Sequence, residues 1–226
     1  MIKCYDLSKN FGKGENLCKA VSDINLIINE GEFVSIMGKS GSGKSTLLHL
    51  LGGIDKPTEG KIIIDEEDIN QFNDKKLAQF RRENIGFIFQ NFALINQYTV
   101  LENIMLALSF SKIPYKEKLK LINEQVKHVD IENLLDKKVY KLSGGEKQRV
   151  AITRAIINNP KIIFADEPTG SLDSDNSNRI MNILNDLNLV GKTIILVTHD
   201  IDIANKSKRI IKLQDGKITD DSIIVN

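Results

Sequence analysis

With 226 residues, 41% hydrophobic and 27% charged, the chain can bury the core of one α/β unit with an embedded subdomain, and it is short for two independent domains. Its 31 basic and 30 acidic residues leave a net charge of +1, without the basic excess usual for a nucleic-acid partner, so no such partner is expected from overall charge. Two cysteines without metal-ligand spacing, an N-terminus lacking a signal-peptide core and no apolar run near the roughly 20 residues that span a bilayer predict a reduced, cytosolic protein.

Along the chain, residues 1–30 read as strands outside the main core, and so does 61–65. Together they predict a small antiparallel sheet. Phe33–Met37 is the first buried strand, and it runs into Gly38, Lys39, Ser40, Gly41, Ser42, Gly43, Lys44, Ser45 and Thr46. This is the phosphate-loop pattern G-x-x-x-x-G-K-[ST], placed between a strand and the helical run 46–51 as the pattern requires. Glycines let the backbone curl its N–H groups inward onto phosphate oxygens, and a helix opening near Gly43 adds its positive end. Lys44 supplies a charge to the β- and γ-phosphates, and Ser45 offers a hydroxyl to Mg²⁺.

A second apolar strand at 85–89 ends at Gln90. Residues from about 92 to 141 hold no strong strand and predict a helical insertion, with Tyr115 to Val129 at helical spacing. Leu142, Ser143, Gly144, Gly145 and Glu146 then make a Ser-Gly-Gly turn with Ser143 near a helix N-cap, followed by a helix to about 158. That is a second anion site by the same physics as the first. One nucleotide on one small domain rarely needs two such sites, whereas a head-to-tail dimer does.

The strand 162–165 ends in Asp166 and Glu167, at the sheet edge where parallel sheets bind ligands. Adjacent strand residues point to opposite faces, so Asp166 is assigned to Mg²⁺ and Glu167 to the general base that polarises water. A helix over about 174–187, a strand at 193–197 and a hairpin turning at Asp215 and Gly216 complete the chain. Strands and helices in alternation predict a doubly wound, mostly parallel α/β fold. His49 and His128 fall in no motif and read as structural.

Taken together, these motifs resemble the nucleotide-binding domain of ATP-binding-cassette (ABC) transporters, over essentially the whole chain and in the right order. The resemblance implies a P-loop NTPase (RecA-like) core in a single domain of residues 1–226, with the antiparallel β subdomain and the helical insertion at about 92–141. It further implies that Phe11 stacks on adenine and that Gln90 senses Mg²⁺ and γ-phosphate. Ser143, Gly144 and Gly145 would contact the γ-phosphate across an ATP-dependent homodimer. Asp173 lies in the loop linking the two sites, and His199 touches the γ-phosphate. Phe92, Leu94, Ile95 and Tyr98 could line the cleft that receives a helix of a separate transmembrane permease, or belong to the helical core. Lys39 departs from the proline common in relatives, at a position where the pattern tolerates any residue. Residues 52–60 and 165–174 look like the macrolide-export, lipoprotein-release and antimicrobial-peptide group. The expectation is therefore a Mg²⁺-dependent ATPase on the cytoplasmic membrane face, driving export of or resistance to a peptide, lipoprotein or drug. The alternative is a regulatory module that passes conformational change to a membrane partner without transport. A single cassette without coiled-coil insertions argues against translation and repair ATPases, and the lack of an Asn-Lys-x-Asp motif argues against a GTPase.

Overall fold

The computed structural model describes residues 1–224. β1 (Ile2–Phe11) and β2 (Cys18–Ile28) pair antiparallel, then β3 (Phe33–Met37) leads into α1 (Lys44–Leu51). β4 (Glu59–Ile64) lies antiparallel to β1, with the two-residue β5 (Glu67–Asp68) beside it. α2 (Asp74–Asn84) precedes β6 (Ile85–Ile88), and α3 (Val100–Ala107) and α4 (Tyr115–His128) follow. α5 (Gly144–Ile156), β7 (Ile162–Asp166), α6 (Ser174–Leu189) and β8 (Thr193–Thr198) return to the core. The short α7 (Ile201–Ala204), β9 (Arg209–Gln214) and β10 (Lys217–Ile223) end the described chain.

Two sheets result. The larger has the order β10-β9-β3-β8-β7-β6, parallel throughout except for the β9–β10 hairpin. The smaller is antiparallel in the order β2-β1-β4-β5. β7 and β8 are buried at every position, which explains why they read as continuous apolar runs in the sequence. Their side chains alternate between two cores. Phe164, Ile195 and Val197 pack with Leu47, Leu48 and Leu51 of α1 beneath the antiparallel sheet. Ile163, Ala165 and Leu196 face α5, α6 and α7 on the other side. A third core joins α3, α4 and the outer side of α5 through Ile104, Ile122, Val126 and Val150. The fold is thus α/β, with a mostly parallel core sheet, a small antiparallel β subdomain and a helical insertion.

The structure adds α2, which carries mostly polar residues and buries only Leu77. It also corrects one premise. β7 ends at Asp166, and Glu167 lies beyond it with φ +44°, in the left-handed region. The two carboxylates are therefore separated by a sharp backbone turn and not by strand alternation. Such a conformation in a non-glycine residue costs about 1–3 kcal/mol and marks functional positions.

Candidate active site

The phosphate loop leaves the end of β3 and closes at α1. A Cβ on Gly38 would collide with the backbone carbonyl of Leu213, and one on Gly43 with that of Ala20. Gly43 also has φ +96°, so glycine is required there twice over. The hairpin turn pins the loop. Gly216 N–H donates to the Ser42 carbonyl at 3.0 Å, and Ser22 N–H donates to the Gly216 carbonyl at 2.8 Å. No side chain caps α1, which leaves its first N–H groups free for an anion. Lys44 is buried and donates to the Lys39 carbonyl at 2.9 Å, so its ammonium lies folded across its own loop. A cleft of about 680 Å³ opens alongside, lined by Gly38, Ser40, Gly41, His199, Ile201 and Lys212 among others.

At the end of β7, the Ser45 hydroxyl donates to Asp166 Oδ1 at 2.9 Å. Burial pushes the Asp166 carboxyl above the usual range, while the Ser45 bond and the Lys44 charge pull it down. Glu167 N–H donates to the Val197 carbonyl at 3.0 Å, which locks the left-handed turn to β8. Its carboxylate is held from two sides. Gln90 Nε2 donates to Oε2 at 3.2 Å, and His199 Nδ1 lies 3.3 Å from Oε1. Gly170 leaves room for this group, since a Cβ there would stand 3.2 Å from Glu167 Oε2. Residues from the ends of β6, β7 and β8 thus converge, as expected where parallel strands end at one edge.

Ser143, Gly144 and Gly145 open α5. Ser143 donates to Glu146 Oε2 through its N–H at 2.7 Å and its hydroxyl at 2.9 Å, and Glu146 N–H returns a bond to Ser143 Oγ at 3.3 Å. This is a capping box. A Cβ on Gly145 would overlap the Asn176 amide, and one on Gly144 would stand 3.3 Å from Leu172. Asp173 caps α6, accepting from Asn176 N–H and from its side-chain amide, each at 2.8 Å. Residues 143–145 and 171–173 therefore form one packed cluster. Among the described residues, no hydrogen bond or ion pair joins this cluster to the phosphate loop or to Glu167. Phe11 ends β1 with its ring 45% exposed and the Lys9 ammonium 5.0 Å from its centre.

Two further residues join the site: Arg154, which no motif marks, and His49, which reads as structural in the sequence. Arg154, on α5, donates to the carbonyls of Ala93 at 2.5 Å and Phe92 at 3.0 Å, both left-handed residues just after Gln90. It ties the Gln90 loop to the helix that begins at Ser143, and nothing in the local sequence signals it. His49 places Nε2 3.9 Å from Asp166 Oδ2. Here a signal existed, because Ser45 and His49 are four apart on α1 and so share a face. A cleft of about 1070 Å³ lies between the core and the helical insertion, with Ile54, Arg82, Phe87, Phe89, Phe110 and Arg154 in its wall. Phe92, Leu94, Ile95 and Tyr98 do not line it. Leu94 packs instead on the helical core.

Residues 21–170 match the family model described as ABC transporter. The chain is 48% identical over 223 residues to the uncharacterized ABC transporter ATP-binding protein MJ0796 of Methanocaldococcus jannaschii, covering 96% of this chain and 95% of that protein. It is 40% identical to the macrolide export ATP-binding/permease protein MacB of Vibrio parahaemolyticus, covering 99% of this chain but 34% of that protein. Among solved structures, a dimeric structure of MJ0796 superposes with a TM-score of 0.94 at 46% identity, over the whole of both chains. A dimeric post-hydrolysis state of that cassette bound to ADP and Pi gives 0.93 at 44% identity, also over both chains.

Proposed function

The chain belongs to the ABC transporter family, and we propose that it is the ATP-binding and ATP-hydrolysing subunit that powers a separate membrane permease. The observation that carries this reading is the Glu167 carboxylate, held between Gln90 and His199 beside an open phosphate loop. The loop amides and Lys44 bind the phosphates of ATP, with Lys44 exchanging the Lys39 carbonyl for phosphate oxygens. Ser45 Oγ and Asp166 Oδ1 sit 2.9 Å apart at the loop, a pair of hard oxygen donors that suits Mg²⁺ shared with phosphates. When bound, Mg²⁺ would neutralise charge that develops between the β- and γ-phosphates. Glu167 polarises and orients the attacking water, and His199 and Gln90 fix its carboxylate. Phe11 offers its exposed ring to adenine.

The 226 residues act as one unit in this reading. The amides of residues 143–145 face a second copy, so that each chain closes over its partner's ATP head to tail. Asp173 and its loop link the two sites. The dimeric MJ0796 structures support a dimer of cassettes. In this reading the cleft of about 1070 Å³ receives the permease, and the protein works at the cytoplasmic membrane face. MacB, whose name describes macrolide export and both an ATP-binding protein and a permease, supports a permease partner and export over the regulatory alternative.

The test is phosphate release beside nucleotide binding. The wild-type chain should release phosphate from ATP only with Mg²⁺. Glu167→Gln should bind ATP with unchanged affinity and turn over at least about 100-fold more slowly. Full turnover by Glu167→Gln would remove Glu167 from the role of base.

A further inference from the structure

Asp166 has one oxygen secured and one free. Oδ1 accepts from Ser45, but among the described residues no donor lies within hydrogen-bond distance of Oδ2. His49 Nε2 lies 3.9 Å from it. That nitrogen is itself shut off from solvent and has no hydrogen-bond partner, although the rest of the ring is partly exposed. A buried ring nitrogen without a partner therefore faces a carboxylate oxygen that only solvent reaches, where buried polar atoms are normally paired. The ring's plane is set by Phe87 and Phe89, whose centres lie 5.5 and 6.5 Å from its own. Ser45 and His49 come from the same face of α1, so one rigid helix presents a donor to each carboxylate oxygen.

We propose that His49 is a positioning residue for Asp166: its Nε2–H donates to Oδ2, closing the gap of 3.9 Å when nucleotide loads, and fixes the carboxylate at two points where Ser45 alone fixes one. Hydrogen bonds in such sites are often long before the substrate arrives and tighten with it. Partners that hold a metal-ligating carboxylate tune affinity for the ion by about 10- to 100-fold. The inference rests on the reading of Asp166 as the residue that faces the cation.

The probe is Mn²⁺, titrated by electron paramagnetic resonance into the full chain carrying Glu167→Gln, with ATP present so that nothing turns over. His49→Ala in that background should weaken Mn²⁺ about tenfold at an unchanged melting temperature. His49→Gln, whose amide nitrogen can take the place of Nε2, should return the affinity to within about threefold of the parent. Asp166→Asn separates the two readings. If Asp166→Asn weakens Mn²⁺ and His49→Ala does not, the positioning role is wrong and the metal assignment stands. If Asp166→Asn leaves Mn²⁺ unaffected, the metal assignment fails and this inference fails with it. A folded His49→Gln as weak as His49→Ala would overturn the hydrogen bond and leave His49 as packing for the two phenylalanines.

Discussion

Lys44 spends its charge on the carbonyl of Lys39 within its own loop. A buried ammonium held by one neutral acceptor is poised to exchange it for phosphate oxygens, because hydrogen bonds between charged partners are about twice as strong. Lys44→Ala should therefore weaken ATP binding by about 10- to 100-fold, read by titration calorimetry, with little change in melting temperature. Unchanged affinity would mean that the loop amides suffice. The cysteines differ in the same residue-level way. Burial pushes the Cys4 thiol up to about 12, whereas Cys18 is exposed. A thiol reagent at pH 8 should modify Cys18 alone in the native protein and both cysteines in guanidinium. Rapid native labelling of Cys4 would show that β1 does not stay closed against its core.

At the scale of elements, Gly145 joins α5 to α6, because it leaves space for the Asn176 amide that completes the Asp173 cap. Gly145→Ala should displace Asn176 and cost about 1 kcal/mol, the usual worth of an N-cap, seen as a lower urea midpoint. ATP affinity of the isolated chain should not change, since this cluster makes no hydrogen bond or ion pair with the phosphate loop among the described residues. A loss of affinity would place Gly145 on its own chain's nucleotide. The elements most legible in the sequence were those whose composition follows from burial on both faces, such as β3, β7 and β8. α2 escaped notice because its eleven residues, DKKLAQFRREN, bury one leucine and show little apolar periodicity. The capping box of α5 was legible as well. Ser143 was recognisable as a cap, and its spacing of three to Glu146 is the signature of the reciprocal bonds that the structure shows. The left-handed turn at Glu167 left no trace, because Glu is not a residue that favours that conformation.

For the molecule as a whole, chain positions far apart in sequence meet at one sheet edge. Gln90, Glu167 and His199 follow three different strands, and the order β8-β7-β6 brings Gln90 and His199 each within 3.3 Å of the Glu167 carboxylate. Each was legible as a motif member, while the contact among them was not, because it depends on strand order. The other half of the proposed machinery, residues 143–145, stands apart from the phosphate loop on the same chain. In the proposed function the two halves complete each other only when a second copy is present. Size-exclusion chromatography of Glu167→Gln with ATP, with ADP and without nucleotide tests this most directly. The account predicts a dimer with ATP alone, since the γ-phosphate is what residues 143–145 of one copy would grip on the other. A monomer under all three conditions, with ATP bound at measured stoichiometry, would contradict the shared site.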